Sequence, residues 1–278
     1  MKILSLGAGM QSTALALMSC ENALSGTAVH PLVPIYDAVI FCDLGFEPPW
    51  VARQVKFCED ACAKAHIPFY ILDCPLYDDF KANFGERRTI SIPWWTLDTE
   101  GRKSKMPRNC TLDYKVDQIS KFVRWTLLGY KKGQRLHPED IKAHEMHMGF
   151  GYEEKRRCHE NPNRMFVNRF PLVDMEMTRA DNYAYILEKW GLETKASACN
   201  FCPFHQNYFF QHLKENAPPT YNGLLEIDKL LQDKTPCPPM KSELFISKSR
   251  KRLDELTPED CDDAQCFTYR GQQIWNGF

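Results

Sequence analysis

Residues 2–13 read KILSLGAGMQST, a short apolar run that turns through two glycines into a helical pattern. Two further buried-strand runs follow, DAVIFCD at 37–43 and IPFYILDC at 67–74, with helical spacing in the intervals between the runs. Strands that alternate with helices predict an α/β fold with a parallel sheet and right-handed crossovers. Such a sheet binds ligands beyond the carboxyl ends of its strands, so the glycine turn lies where a ligand is expected.

The composition is that of a soluble globular protein. Apolar residues make up 44% of the 278 residues and charged residues 26%, and no run of about 18 apolar residues is present. No signal peptide is visible, so we expect a cytoplasmic protein without membrane association. The net charge of −1 gives no overall attraction to nucleic acid. In a reducing compartment the twelve cysteines are expected to be buried, metal-bound or redox-active rather than disulfide-bonded.

The later part of the chain is less regular. A helix is predicted over 112–129 and a short strand over 144–150, and Thr178 and Gly191 are suited to begin and end another helix. The residues from 206 onward indicate helices separated by proline-containing turns. We therefore divide the chain into a nucleotide-binding α/β domain, 1–205, and a helical C-terminal extension packed on it, 206–278.

The glycine loop is the first candidate site. Gly7 and Gly9 allow the backbone to approach an anion, while Ser12, Thr13 and the helix N-terminus supply donors to phosphate. The loop lacks the Lys-Ser/Thr ending of a Walker loop and does not match the dinucleotide GxGxxG pattern. An ordinary glycine-rich turn is the alternative, and the position on the first strand favours phosphate. Asp43, which ends the second strand, is expected at the same edge.

Several blocks together resemble the phosphoadenosine phosphosulfate (PAPS/APS) reductase-like family of the adenine nucleotide alpha hydrolase-like superfamily. In order over residues 1–205 they are SLGAGMQST, VIFCDLGFEPPWVARQVKFCE, RNCTLDYKVDQI, MGFGYEEKRR, NRFPLVDMEMTRADNYAYI and SACNFCPFH. The resemblance implies a Rossmann-like core that binds ATP or PAPS/APS. Its implied nucleotide-binding residues are Ser5, Gly7, Ala8, Gly9, Gln11, Ser12, Thr13, Asp43 and Gly149.

The chain departs from this family at three places. Gln11 stands where ATP pyrophosphatases of the superfamily carry an Asp, and an amide does not hold Mg²⁺ as a carboxylate does. Cleavage of ATP with a loop-bound Mg²⁺ is therefore an open question. The usual Arg after the strand-end glycine is absent, and Arg156 and Arg157 are its nearest substitutes. The tail lacks the family's Glu-Cys-Gly-Leu-His ending, which leaves Cys266 as the candidate nucleophile.

The resemblance also implies a metal centre. Its ligands are Cys110, Cys199 and Cys202, and the centre is a [4Fe–4S] cluster or, with His205, a Cys3His zinc site. The fourth iron position is open, or it is filled by His205, Cys261 or Cys266. A buried CxxC pair without metal is the alternative. Lys115 and the positive end of a helix are expected to favour the thiolate of Cys110. Other cysteines are predicted to be core residues, namely Cys20, Cys42, Cys58, Cys62 and Cys74.

A basic loop precedes Cys110 and is the third candidate. It carries Arg87, Arg88, Arg102, Lys103, Lys105 and Arg108, with Trp94 and Trp95 among them. Such charged side chains usually lie at the surface and are solvated, but they can also bind a second anionic substrate. We assign this role to Arg88, Arg102, Arg108 and Lys115. The substrate is a small sulfonucleotide or, because aromatic rings stack on bases, a nucleic acid.

The sequence therefore predicts an adenine-nucleotide-binding enzyme of sulfonucleotide reduction or sulfur transfer, served by a thiol reductant protein. ATP-dependent sulfur insertion into nucleic acid is the alternative among enzymes. A non-catalytic nucleotide-binding or zinc-stabilised interaction module is the alternative from another class. His144 and His147 are predicted to lie at the surface or to be hydrogen-bonded, and not to ligate metal.

Overall fold

The computed structural model describes residues 1–84, 92–235 and 241–277. In chain order its strands and helices are β1 (Lys2–Leu6), α1 (Met10–Ser25), β2 (Ala38–Asp43), α2 (Pro49–Lys64), β3 (Phe69–Asp73), α3 (Leu76–Asn83), β4 (Trp95–Leu97), β5 (Lys103–Lys105), α4 (Asp117–Phe122), β6 (His144–Met148), β7 (Phe166–Arg169), α5 (Pro171–Asp174), α6 (Arg179–Trp190), α7 (Asn207–Asn216), α8 (Pro218–Lys234), β8 (Glu243–Phe245), β9 (Cys266–Tyr269) and β10 (Gln272–Trp275).

The central sheet has five strands in the order β3-β2-β1-β6-β7, and every pair is parallel. Strands β1 and β2 are apolar runs because helices cover both faces of the sheet, and Ile3, Leu4, Val39 and Ile40 are fully buried. The predicted α/β fold is confirmed. Strand order reverses at β1, which has β2 on one side and β6 on the other, so a crevice opens between the carboxyl ends of β1 and β6.

Several predicted helix boundaries are also confirmed. Helix α2 begins at Pro49, where a proline costs no backbone hydrogen bond. The hydroxyl of Thr178 accepts a hydrogen bond from the backbone N–H of Asp181, and Gly191 ends α6 with φ of 65°. The predicted helix over 112–129 is present, with a π-helical turn on each side of α4.

The C-terminal region is helical only in part. Helices α7 and α8 carry the chain to Lys234, but the described residues beyond them form three short strands and two short 3-10 helices instead of further α-helices. Strand β8 pairs with β4 in an antiparallel sheet that also contains β5, because its apolar residues Leu244 and Phe245 are buried there. Strands β9 and β10 form a hairpin whose turn residues Arg270 and Gly271 both have positive φ, 48° and 80°.

The two histidines of β6 are buried rather than at the surface. His144 lies 3.0 Å from a carboxyl oxygen of Asp140 and 3.2 Å from the N-terminal nitrogen. His147 lies 3.3 Å from Glu145, and burial lowers the pKa of the imidazole. The hydrogen-bonded alternative is therefore the one that the structure shows.

No helix in the described ranges is both long and apolar enough to cross a membrane.

Gly149, the residue after β6, packs directly on the start of α1. A Cβ at this position would lie 2.4 Å from the backbone nitrogen of Ser12 and 2.6 Å from its Cα, and neither backbone atom can move aside without shifting the helix. The absence of a side chain at Gly149 therefore allows β6 to meet the glycine loop.

We expect Gly149→Ala to destabilise the protein by about 3 kcal/mol, because the added methyl overpacks backbone against backbone. Urea unfolding followed by circular dichroism measures this change. Gly7→Ala is the matched control, since its Cβ would meet nothing closer than 3.6 Å. Equal midpoints for the two variants would contradict the packing described here.

Candidate active site

The glycine loop curls over the start of α1. Ala8 takes a positive φ of 57° between the two glycines. The backbone N–H of Gly7 donates to the hydroxyl of Ser12 at 3.1 Å, and that hydroxyl donates to the carbonyl of Gly9 at 3.3 Å. Gly9 is the N-cap of α1, and no side chain caps the helix. The N–H groups of its first turn are therefore suited to an anion.

The segment 195–197 lies across this loop. The fully buried Gln54 amide donates to the carbonyls of Ala8 and Lys195, and its oxygen accepts from the N–H of Lys195 at 2.8 Å. A Cβ at Gly9 would lie 3.1 Å from Oγ of Ser197. Cys199 follows two residues later, and we call the region between the glycine loop and the CxxC turn the cleft.

The C-terminal hairpin fastens the same segment. The N–H of Ala196 donates to the carbonyl of Asn276 at 2.7 Å, and the Trp50 indole N–H donates to the carbonyl of Ala196 at 2.7 Å. The ammonium of Lys195 lies 5.1 Å from the ring centroid of Trp50 and 5.0 Å from that of Trp275.

The other residues predicted to bind nucleotide lie near this cleft, but their environments differ from one another. Ser5 is in β1, paired in register with Ile40 and Met148. Asp43 ends β2, is exposed and accepts a hydrogen bond from the N–H of Gly45 at 2.9 Å. Thr13 is fully buried, and its hydroxyl accepts from the Cys58 thiol, so this oxygen faces the core.

Gln11 engages a carboxylate from the end of β6. Its amide nitrogen donates to Glu154 at 3.1 Å, and the guanidinium of Arg157 forms an ion pair with the same carboxylate. Arg157 is therefore held at the mouth of the loop, with its guanidinium carbon 4.3 Å from the ring centroid of Phe150. Arg156 is exposed on the same turn.

The CxxC turn is closed by its own backbone. The N–H of Cys202 donates to the carbonyl of Cys199 at 2.9 Å, and the N–H of His205 donates to the carbonyl of Cys202 at 3.1 Å. The thiol of Cys199 donates to the sulfur of Cys202, which raises the pKa of Cys199 and lowers that of Cys202 to about 7. Within the pair, Cys202 is therefore the sulfur whose thiolate form is favoured.

His205 supports this turn from below. Its ring is 1% exposed and stacks on Phe209 with centroids 3.4 Å apart, and its Nε2 lies 2.9 Å from the carbonyl oxygen of Cys199. Burial lowers its pKa to about 3, so the imidazole is neutral at physiological pH. The nitrogen that faces Cys199 is directed at the backbone carbonyl.

Cys110 and two basic residues lie near the CxxC turn. Burial and the charge of Cys202 raise the pKa of the Cys110 thiol, and Arg108 opposes this effect. The expectation that Cys110 is the favoured thiolate is therefore wrong, because desolvation outweighs the nearby positive charge. The charge of Lys115 instead acts on the CxxC pair, where it contributes to the lowered pKa of Cys202 and partly offsets the raised pKa of Cys199.

The metal prediction receives no support from the geometry of the donors. In the part of the chain that the structure describes, no three His, Cys, Asp or Glu side chains are gathered closely enough to hold one ion. A zinc ion at about 2.3 Å from each thiolate would bring the sulfurs within about 4 Å of one another. The [4Fe–4S] and zinc assignments remain predictions, and we derive no chemistry from either.

Glu47 is a candidate that the sequence analysis missed. Neither of its buried carboxyl oxygens makes a hydrogen bond within the described residues. Burial raises the pKa of Glu47 to about 7, although Lys115 and the backbone of Leu44 oppose the shift. The charge of Glu47 also raises the pKa of Cys199. Its position after β2, at the carboxyl edge of a parallel sheet, was the one available signal.

The basic loop is only partly available to a substrate. Arg102 is paired with Asp98 at 2.7 Å and with Glu100 at 3.1 Å. Trp94 is 1% exposed. Arg108 is exposed beside the CxxC turn, whereas Arg88 lies outside the described residues.

Cys266 lies away from the thiol pair in the contacts described. It is exposed on β9, opposite Trp275 of β10, and β9 packs against α6. Its role as nucleophile remains a prediction.

Comparisons with known proteins do not identify a family. A scan against protein-family models finds no match, and a search of curated proteins finds no similar sequence.

We expect Glu47→Gln to stabilise the protein at pH 8 and to have little effect at pH 4. The folded-state pKa of about 7 lies above the ordinary value of 4.5, so the protonated carboxyl is the favoured form and stability is lost as pH rises through 7. The gain at pH 8 is up to about 3 kcal/mol. Urea unfolding at both pH values measures it.

The exposed Glu226 provides a matched control. Glu226→Gln should change stability by less than about 0.5 kcal/mol at either pH. A Glu47→Gln variant that is less stable than the parent protein at pH 8 would show that the carboxylate has a stabilising partner.

We expect the alkylation rate of Cys202 to rise with a midpoint near pH 7, because the thiolate is the reacting form. Cys199→Ser should change this midpoint, since the cysteine thiol that donates to Cys202 is replaced. Iodoacetamide labelling followed by peptide mass spectrometry gives both profiles. A midpoint near 9 in the parent protein would contradict the thiol pairing.

Proposed function

We propose that this protein is an adenine-nucleotide-dependent enzyme in which the Cys199–Cys202 pair performs sulfur chemistry. The nucleotide is a phosphosulfate, and the reaction is its reduction to sulfite. A thiol reductant protein returns the cysteine pair to the reduced form. The proposal combines the phosphate-suited loop with the one cysteine pair that adjoins it.

One observation carries the proposal. Gln54 and Ser197 bring the segment before the CxxC turn onto Gly9, so a nucleotide phosphate in the loop would lie beside the thiol pair. The cleft is at the reversal of strand order, the usual ligand position in such sheets. A CxxC turn with only a structural role would not require the segment before it to be connected to the glycine loop.

The chemistry follows from the two sulfurs. The Cys202 thiolate attacks the sulfur atom of the phosphosulfate, the S–O bond breaks, and the nucleotide leaves as its phosphate with the bonding electron pair. The product is an S-sulfonated Cys202. The thiol of Cys199 loses its proton and attacks Sγ of Cys202, which forms the disulfide and releases sulfite. The cysteines are oxidised by two electrons and the sulfur is reduced by two.

The surrounding charges suit these steps. Lys115 contributes to the lowered pKa of Cys202, partly offsets the raised pKa of Cys199 and offers a positive charge to the anionic sulfonate. The first-turn N–H groups of α1 and the guanidinium of Arg157 face the phosphate side of the cleft. None of these steps requires Mg²⁺ at Gln11, so the amide at that position fits phosphosulfate reduction better than ATP cleavage.

We expect one equivalent of sulfite per chain when prereduced protein, freed of reductant, is mixed anaerobically with APS or PAPS. Mass spectrometry should show the Cys199–Cys202 disulfide, because the pair supplies the two electrons. Cys202→Ser should abolish sulfite release. In Cys199→Ser the reaction should stop at the S-sulfonate of Cys202. Cys158→Ser, which alters a half-buried cysteine elsewhere, should leave the yield of sulfite unchanged.

Metal analysis of the same anaerobic preparation separates the alternatives. Iron and sulfide bound through Cys199 and Cys202 would exclude this thiol mechanism and support the cluster. Full sulfite release by Cys202→Ser would show that another residue is the nucleophile, and Cys266 would be the first candidate. An absence of binding by ATP, AMP and both phosphosulfates in calorimetry would favour the non-catalytic module.

A further inference from the structure

We propose that a basic and aromatic surface beside the CxxC turn binds single-stranded nucleic acid. We call it the Trp95–Phe204 surface, and its residues are Trp95, Lys103, Lys105, Arg108, Phe204 and Arg250. Its aromatic and basic groups lie side by side, and it borders the thiol pair. The inference goes beyond the proposed function, because binding to this surface requires neither a bound nucleotide nor turnover.

Two strands and the CxxC turn bring the rings together. Lys105 of β5 is opposite Trp95 of β4 in the antiparallel register. The indole N–H of Trp95 donates to the carbonyl of Pro203 at 2.7 Å, so Trp95 is joined to the residue that follows Cys202. Phe204 comes next in the chain. Both rings are half-buried, with part of each still accessible.

The cations gather on these rings. The ammonium of Lys105 lies 4.9 Å from the ring centroid of Phe204 and 5.9 Å from that of Trp95. The guanidinium of Arg108 lies 5.3 Å from Phe204, and that of Arg250 lies 5.2 Å from Trp95. Arg250 also donates to three backbone carbonyls, so it is a fixed positive charge at the base of the surface.

The charge of this surface is not neutralised by neighbouring acids. Among the ion pairs of the described residues, none involves Lys103, Lys105 or Arg108, whereas Arg102 at the turn of the same β4–β5 hairpin is paired twice. The three side chains are exposed. An overall net charge of −1 therefore conceals a local positive surface.

A structural role explains only part of this arrangement. Lysines often occupy edge strands, where they prevent pairing with another sheet, and β5 is an edge strand. That role accounts for Lys103 and Lys105. It accounts neither for Arg108, which lies beyond the strand, nor for two accessible aromatic rings beside the cations.

Nucleic acid fits both components. Phosphates neutralise the lysines and arginines, and unpaired bases stack on aromatic rings. A duplex keeps its bases stacked on one another, so a single strand is the form that uses Trp95 and Phe204. A strand lying here would pass the CxxC turn, because Phe204 is two residues from Cys202.

The test measures binding without nucleotide or turnover, so its result is independent of sulfite release. Fluorescence polarisation with fluorescein-labelled 20-nucleotide single strands of DNA and RNA, at 50 and 200 mM NaCl, gives affinity and salt dependence. We expect Lys105→Gln/Arg108→Gln to weaken binding at least tenfold. The slope of log affinity against log salt should fall by about 1.4, since each phosphate contact on a single strand contributes about 0.7.

The matched control is Lys189→Gln/Arg270→Gln, which removes one lysine and one arginine that are both exposed. This control should bind as the parent protein does. Phe204→Leu should weaken binding with an unchanged salt slope, because a ring is lost and no charge.

Three results would overturn the inference. They are no binding by the parent protein at 50 mM NaCl, equal affinities for the two double variants, and tighter binding of heparin or of phosphatidylserine vesicles than of either single strand. A preference for RNA or for DNA leaves the inference standing and identifies the kind of strand that the surface binds.

Discussion

The side-chain amide of Gln54 connects the two halves of the site. It is fully buried in α2 and bonds to the backbone of Ala8 and Lys195, the second of which is 141 residues away in sequence. A buried amide that loses its partners costs about 1–3 kcal/mol per unpaired group, so the loop and segment 195–197 are stable only when both are in place. The cleft between glycine loop and thiol pair depends on this side chain together with the bonds that Ala196 makes to Asn276 and Trp50.

Around that cleft, charge is distributed unevenly. Lys115 is the cation whose field reaches Glu47, Cys199 and Cys202, while Glu47 opposes it with a carboxyl group that makes no hydrogen bond of its own. Buried groups of this kind are costly for stability and are concentrated at functional sites. The carboxyl edge of the sheet therefore brings together an acid, a base and thiols. It is this edge of the strands, and not the opposite one, that forms the candidate site.

Local patterns were sufficient for the sheet and for several helix ends. Apolar runs such as 38–43 identify buried parallel strands, and Thr178 identifies the start of α6, because these signals act within a few residues. The β9–β10 hairpin was missed because its strands alternate weakly and its turn is Arg-Gly instead of a more usual pair. The contact between Ser197 and Gly9 could not be derived from spacing, since it depends on tertiary packing by Gln54. Glu47 had only its position after β2 as a sequence signal, and Cys110 was assigned the wrong direction of pKa shift because its burial was unknown.

The hairpin that fastens segment 195–197 also has a consequence for the order in which the protein is made. The sheet is complete once β7 has been synthesised, but Asn276, whose carbonyl holds Ala196, is added to the chain about 80 residues after Ala196. At roughly 5–20 residues per second, the nascent chain spends several seconds with its glycine loop formed and its CxxC segment unfastened. During that interval segment 195–197 lacks its hydrogen bond to Asn276, so we expect a wrong disulfide at the CxxC turn to form most easily before the β9–β10 hairpin closes.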